Sequence, residues 1–207
     1  MARLNKSPGR PREFDQNAVL NMAMREFFQH GYDGTSSRAL QAATGLTAPS
    51  LYNAFGSKQD LFLAALDRYV QSGFDYMIDE LANGTAGLED LERFLEKVWS
   101  TFEDEQTPMG CMVLNTRGEF GRSQPDILAV CDVFTDRQVA AIGAAMQRAA
   151  DLGEIDPLLV SRNVHSFRMM LNGLLHLVRT NGLDRDVRDA YAALGQTVQG
   201  WRQSTAT

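Results

Sequence analysis

The chain has little of what would mark it as an extracellular, membrane or metal-dependent protein. Two cysteines in 207 residues, Cys111 and Cys131, cannot build a disulfide framework, so the thiols are expected to be reduced. No run approaches the roughly 18 apolar residues of a membrane span. The richest stretch, "MMLNGLLHLV" at 169–178, is short and broken by Asn172 and His176. The basic N-terminus "MARLNKSPGRPREF" is followed by no apolar segment and does not read as a signal peptide. Cytoplasmic location is therefore expected. His165 and His176 stand 11 residues apart on one helix face, with no carboxylate or cysteine at ligand spacing, so no metal is expected. No cofactor is expected either. There is no P-loop, no dinucleotide glycine fingerprint, no H-E-x-x-H and no G-x-S-x-G, which argues against an enzyme.

Strand alternation is also missing, whereas helical periodicity runs throughout. Asp15 is placed to cap a first helix with Val19, Ala23 and Phe27 at core spacing and Gly31 at its end. Thr35 and Ser36 can cap a second helix ending at Gly45, and Thr47 a third, with Pro49 tolerated in its first turn. Ser57-x-x-Asp60 forms a capping box for a fourth helix reaching about Ile78. Five more follow: an amphipathic helix through Leu88, Leu95 and Phe102; a short one through "CMVLNTRGEF", with Thr107 as cap and Pro108 as start; a long one from about Pro125 to Leu152; one from Pro157 to about Thr180; and a last one through Val187 and Trp201. Phe167 to Val178 is apolar almost all round and is expected to be buried on several sides. The reading is an all-α protein of nine helices.

Charge is unevenly shared. The net charge is −6, but residues 1–59 carry seven basic and four acidic groups, 7 − 4 = +3, which leaves −6 − 3 = −9 for the rest. A basic head on an acidic body suits a polyanionic partner for the head alone. Three helices in under 60 residues, with the tight "TGL" turn between the second and third, form a helix-turn-helix pattern.

The segment "GYDGTSSRALQAATGLTAPSLYNAFGSKQDLF", residues 31–62, resembles the TetR family of transcriptional regulators. It carries Thr35-Ser36, Gly45-Leu46-Thr47, Leu51-Tyr52, Phe55, Ser57-Lys58 and Leu61 at the family's positions. It departs at Gln41, where a small residue is usual, and at Pro49, where glycine is common. Neither is a packing anchor of the motif. The resemblance implies a nine-helix TetR-like architecture. Residues 1–12 would be a flexible basic arm, 13–60 the helix-turn-helix domain, and 61–207 a regulatory domain for ligand binding and dimerisation. It also implies a repressor that binds a pseudo-palindromic double-stranded DNA operator as a homodimer and is released by a small-molecule inducer.

Elementary chemistry assigns roles within that frame. The third helix, entering a major groove by its N-terminus, would offer Thr47, Ala48 and Ser50 to base edges and phosphates. Tyr52 and Asn53 would donate to phosphates, as would Lys58 at the start of the fourth helix, where free amides also favour an anion. Thr35, Ser36 and Arg38 would do the same from the other side, and Arg3, Lys6, Arg10 and Arg12 could reach the minor groove. A dimer patch is expected from Leu171, Leu174, Leu175, Val178, Tyr191, Leu194, Val198 and Trp201, with Gly173 allowing close approach. The ligand pocket is expected among Trp99, Phe102, Cys111, Met112, Asn115, Phe134, Phe167, Met170, Asn172 and His176, with an apolar or aromatic effector. Two alternatives stay open. Cys111, near a helix start that would lower its thiol pKa, could sense electrophiles or oxidants. The chain could also be a helical interaction protein without DNA binding.

Overall fold

The computed structural model describes residues 14–71, 73–104 and 108–202, with the backbone alone at 73–75. The basic arm and Thr107 lie outside the described residues, so their expected roles stay at the level of sequence. Among the described residues there are ten α-helices, one 3-10 turn and no strand. The helices are α1 (Gln16–Gly34), α2 (Ser37–Thr44), α3 (Ala48–Phe55), α4 (Lys58–Val70), α5 (Gly73–Asn83), α6 (Leu88–Glu103), α7 (Met112–Phe120), α8 (Pro125–Asp151), α9 (Val160–Asn181) and α10 (Arg185–Gly200). The count exceeds nine because the expected fourth helix is divided: α4 ends at Val70 and α5 begins at Gly73. The domain boundary expected at residue 60 falls inside α4.

The N-terminal caps follow sequence chemistry closely. The Asp15 carboxylate accepts from the amides of Asn17 and Ala18, and Ser57 and Asp60 complete the capping box of α4. The Thr47 hydroxyl accepts from the Ser50 amide and starts α3 with Pro49 in the first turn. The helix-turn-helix closes on Val19, Ala23, Phe27, Leu40, Leu51 and Leu61, all buried.

An aromatic cluster joins this head to the body. Phe27, Tyr32, Phe62 and Phe120 come from α1, α4 and α7, with Phe62 5.0 Å from Phe27, 5.2 Å from Tyr32 and 5.6 Å from Phe120 between ring centroids. Beside it the Glu119 carboxylate accepts from the amides of Tyr32 at 2.9 Å and Asp33 at 2.8 Å. These amides follow Gly31, where α1 kinks at φ 74°, and a Cβ on Gly31 would meet the Glu119 carboxylate at 2.9 Å. The glycine is required twice, for its backbone angle and for that approach. Arg179 of α9 adds a hydrogen bond to the Gln29 carbonyl at 2.7 Å.

The short seventh helix begins later than its sequence suggests. Residues 108–111 are not helical, because Gly110 at φ 70° presses against α9, its would-be Cβ only 2.4 Å from the Leu175 carbonyl oxygen. That contact seats Cys111, at the N-cap position of α7, within the core. α9 and α10 pack on each other with Leu171, Leu174, Leu175, Val178, Leu194 and Val198 turned into the chain's own core. These six residues, expected at a dimer surface, are therefore unavailable to one. Tyr191 is half-buried, stacked on Trp99 at 4.3 Å, and half-buried Trp201 lies 6.5 Å from Phe167. The apolar run of α9 is not buried all round: Met169 is 71% exposed, and Gly173 and His176 share its open side.

Candidate nucleic-acid interface and internal cavity

The recognition surface is built from α2, α3 and the start of α4. Thr47, Pro49, Ser50 and Asn53 are exposed on α3 or its cap, and Ala48 is half-exposed. The Thr47 hydroxyl donates to the Ser50 hydroxyl at 3.0 Å, so the pair forms a small polar ridge at the helix N-terminus. Tyr52 lies half-buried on the flank, its hydroxyl 2.7 Å from that of Ser37. This contact holds the two helices of the motif together and leaves both hydroxyls near the surface. Sequence pattern alone does not single out Ser37; its place as the first residue of α2 in the "TSSR" run is the signal that could have found it.

Lys58 occupies the first turn of α4, its ammonium 4.3 Å from the centre of the Tyr32 ring. The ring steers a cation that would otherwise swing freely. Ser36 caps α2 by accepting from the Ala39 amide, and Arg38 is exposed. Thr35 differs. It is wholly buried, and its hydroxyl donates to the Gly31 carbonyl at 2.6 Å. It closes the end of α1 and cannot touch a phosphate, which corrects the expectation for that residue. A recess of about 430 Å³ lies against this surface, lined by Phe14, Gln16, Leu46, Thr47, Ser50 and Asn53 among others.

The residues expected at a ligand pocket separate into three groups. Phe102, Met112 and Phe167 are core packing, and buried Trp99 is held between core and Tyr191. His176 is exposed on the open side of α9, Met170 is half-buried, and Asn115 ties down the preceding loop by donating to the Met109 carbonyl at 3.1 Å. Cys111, Phe134 and Asn172 meet at a partly open cavity of about 30 Å³. Its other walls include Arg117, Thr135, Gln138 and Arg168, none of which the periodicity of the sequence exposed as a site residue. Gln138 carried a readable signal: it stands between Phe134 and Ala141 on the apolar face of α8. Burial pushes the Cys111 thiol up, outweighing hydrogen bonds from the backbone of α7 and from Tyr69, and pushes the Cys131 thiol up to about 11. The lowered Cys111 pKa expected from its helix position is thus reversed by desolvation.

Comparison with known proteins shows what the chain resembles. Residues 19–65 match the family model for bacterial regulatory proteins of the tetR family. The chain is 39% identical over 113 residues to the HTH-type transcriptional repressor ComR of Escherichia coli K12, covering 54% of each chain. A DNA-complexed cysteine mutant of the TetR family regulator CifR superposes with a TM-score of 0.71 at 26% identity, covering 93% of this chain and 100% of that one. The chain thus carries a tetR-family DNA-binding segment over residues 19–65 and has the fold of TetR regulators. The TetR regulator of Chloroflexus aurantiacus J-10-FL superposes still better, with a TM-score of 0.78 at 26% identity over 91% of this chain and 96% of that one. The uncharacterized HTH-type regulator YezE of Bacillus subtilis 168 is 27% identical over 72% of this chain and 76% of that protein. The match to ComR spans about half of that protein's length. The relatives are named as regulators and repressors, in keeping with a protein that is not an enzyme. No helix of the described residues is long and apolar enough to cross a membrane.

Proposed function

We propose that this protein is a TetR-family transcriptional repressor that binds an operator in double-stranded DNA as a homodimer and is released by a small molecule. The observation that carries the reading is the exposed Thr47–Ser50–Asn53 face of α3, flanked by Tyr52 and by the ring-steered Lys58. Small side chains on α3 allow close approach to a groove, while the flanking groups suit phosphates. The CifR mutant of the same fold is complexed with 26-bp double-strand operator DNA, which supports the same use of the head here.

A single head buries little surface, so two copies on an inverted repeat are the reading that gives specificity. The face left for pairing is the open side of α9 and α10, through Met169, Gly173, His176, Ala192, Ala193 and Gln196. A Cβ on Gly173 would meet nothing within 4 Å, which leaves room for a second helix. Selection of bound DNA from a random pool tests the whole reading. The expected product is an inverted repeat with half-sites about one helical turn apart. Absence of any enriched sequence would remove DNA recognition from the account.

The electrophile-sensing alternative is disfavoured by the buried, weakly acidic Cys111 thiol. Cys111→Ser is expected to retain wild-type operator release under an oxidant or electrophile; loss of release in that variant alone would restore the alternative.

A further inference from the structure

The cavity between α7, α8 and α9 has a chemical character that the apolar core around it does not share. Gln138 is 6% exposed and brings a side-chain amide to the wall. The Arg117 Nε is buried and likewise without a partner, although the far end of that guanidinium is paired with Asp132. Half-buried Arg168 reaches the cavity from α9 with no acidic residue in ion-pair range among the described residues, and Asn172 lies one turn further along the same helix. Thr135 already gives its proton to the Cys131 carbonyl, at 2.8 Å. The walls therefore hold one buried guanidinium N–H without an acceptor and a half-exposed guanidinium without an acid, beside two side-chain amides that can donate as well as accept.

Buried donors left unmatched are costly, and buried charges are normally paired. A water can satisfy an amide, but it leaves Arg168 without an anionic partner. The space of about 30 Å³ has room for a group little larger than a water. A neutral aromatic ring is excluded on both counts.

We propose that this cavity binds a carboxylate, held by Arg168 and the Arg117 Nε with the Gln138 and Asn172 amides completing its hydrogen bonds. The inference rests on the reading of the chain as an effector-controlled regulator and names the chemistry of the effector. A planar carboxylate matches guanidinium geometry and accepts several hydrogen bonds at once. Because α7 also carries Glu119, a ligand seated at Arg117 acts on the same helix that holds the DNA head.

The test uses the full chain without DNA. Thermal unfolding is followed in sodium formate and sodium acetate against sodium chloride at matched ionic strength, with acetamide as the uncharged control. The expected result is a saturable rise in Tm with both carboxylates and none with acetamide. Arg168→Met is expected to weaken the apparent affinity at least ten-fold. Gln138→Leu provides a second discriminator. It takes one amide donor from the wall and leaves both guanidinium groups in place, so it should reduce the carboxylate response less than Arg168→Met does; a response equal to wild type removes Gln138 from the site. No rise with either carboxylate, an equal rise with acetamide, or an undiminished response in Arg168→Met overturns the proposal. Operator binding is measured separately, so failure to select any DNA refutes the regulator reading without deciding the cavity's chemistry.

Discussion

At the scale of single residues, Lys58 carries the clearest prediction. Its ammonium rests on the Tyr32 ring at the edge of the recognition surface. Lys58→Ala should weaken binding to all DNA sequences alike and reduce the slope of log affinity against log salt by about 1, because one phosphate contact is lost. Affinity titrations at several salt concentrations read this directly; an unchanged slope removes Lys58 from the phosphate contacts. Lys58 and Tyr52 were legible in the sequence because their positions are fixed by local helix geometry after Gly45 and Gly56. Thr35 was not. Its neighbours make it look like a second cap beside Ser36, and only the approach of the chain at Gly31 decides that its hydroxyl turns inward. Cys111 fails for a related reason. A helix start lowers a thiol pKa only where the thiol keeps some solvent, and the packing of Gly110 on α9 removes it.

At the scale of elements, helix ends were more legible than helix faces. Caps depend on residues within one turn, and Asp15, Ser36, Thr47 and Ser57 all act as their types suggest. Which side of α9 faces inward depends on what lies next to it, and a helix apolar all round does not say. The junction of α5, α6 and α8 shows how strongly such packing can be specified. Asp90, 5% exposed, accepts from the Ala86 amide and pairs with Arg93 and Arg148, while Arg148 also donates to the Leu81 and Ala82 carbonyls at the end of α5. Burial alone would raise the Asp90 pKa, but these hydrogen bonds prevail and hold it below the ordinary carboxylate value. The folded pKa is therefore lower than the unfolded one. The stabilisation is present above about pH 4 and is lost as pH falls through the folded value. Asp90→Asn should cost about 3 kcal/mol at neutral pH by leaving the Arg148 charge without its carboxylate. The gap in Tm between wild type and variant should close below about pH 4. A gap that persists unchanged in acid contradicts this account of the junction.

At the scale of the whole molecule, the basic head and acidic body are joined by the aromatic cluster, by the Glu119 carboxylate and by the Arg179 hydrogen bond to Gln29. Glu119 binds the amides of Tyr32 and Asp33 from the helix that also places Arg117 at the cavity. For the coupling proposed above, α7 touches both the head and the cavity, as does α9 through Arg179 and Arg168. Glu119→Ala should cost about 1 kcal/mol, a drop in Tm of roughly 2–4 °C, since water can replace part of the bond. It should also shrink the change in operator affinity on effector binding. Full coupling in the variant, measured by operator titration with and without effector, places the transmission elsewhere.

The charge asymmetry and the helix-turn-helix spacing were visible in sequence because both are local sums. The cavity was not, because Arg117, Gln138 and Arg168 come from three helices and meet only after folding.

The central claim is that the exposed face of α3 reads DNA sequence. Its most direct test is titration of the selected operator and of a scrambled duplex with the wild type and with a Ser50→Ala, Asn53→Ala double variant. Both side chains are exposed, so the fold should survive. The wild type is predicted to prefer the operator by at least about 10³-fold, and the double variant to lose most of that preference while keeping its affinity for scrambled DNA. A double variant that discriminates as well as the wild type would contradict the claim.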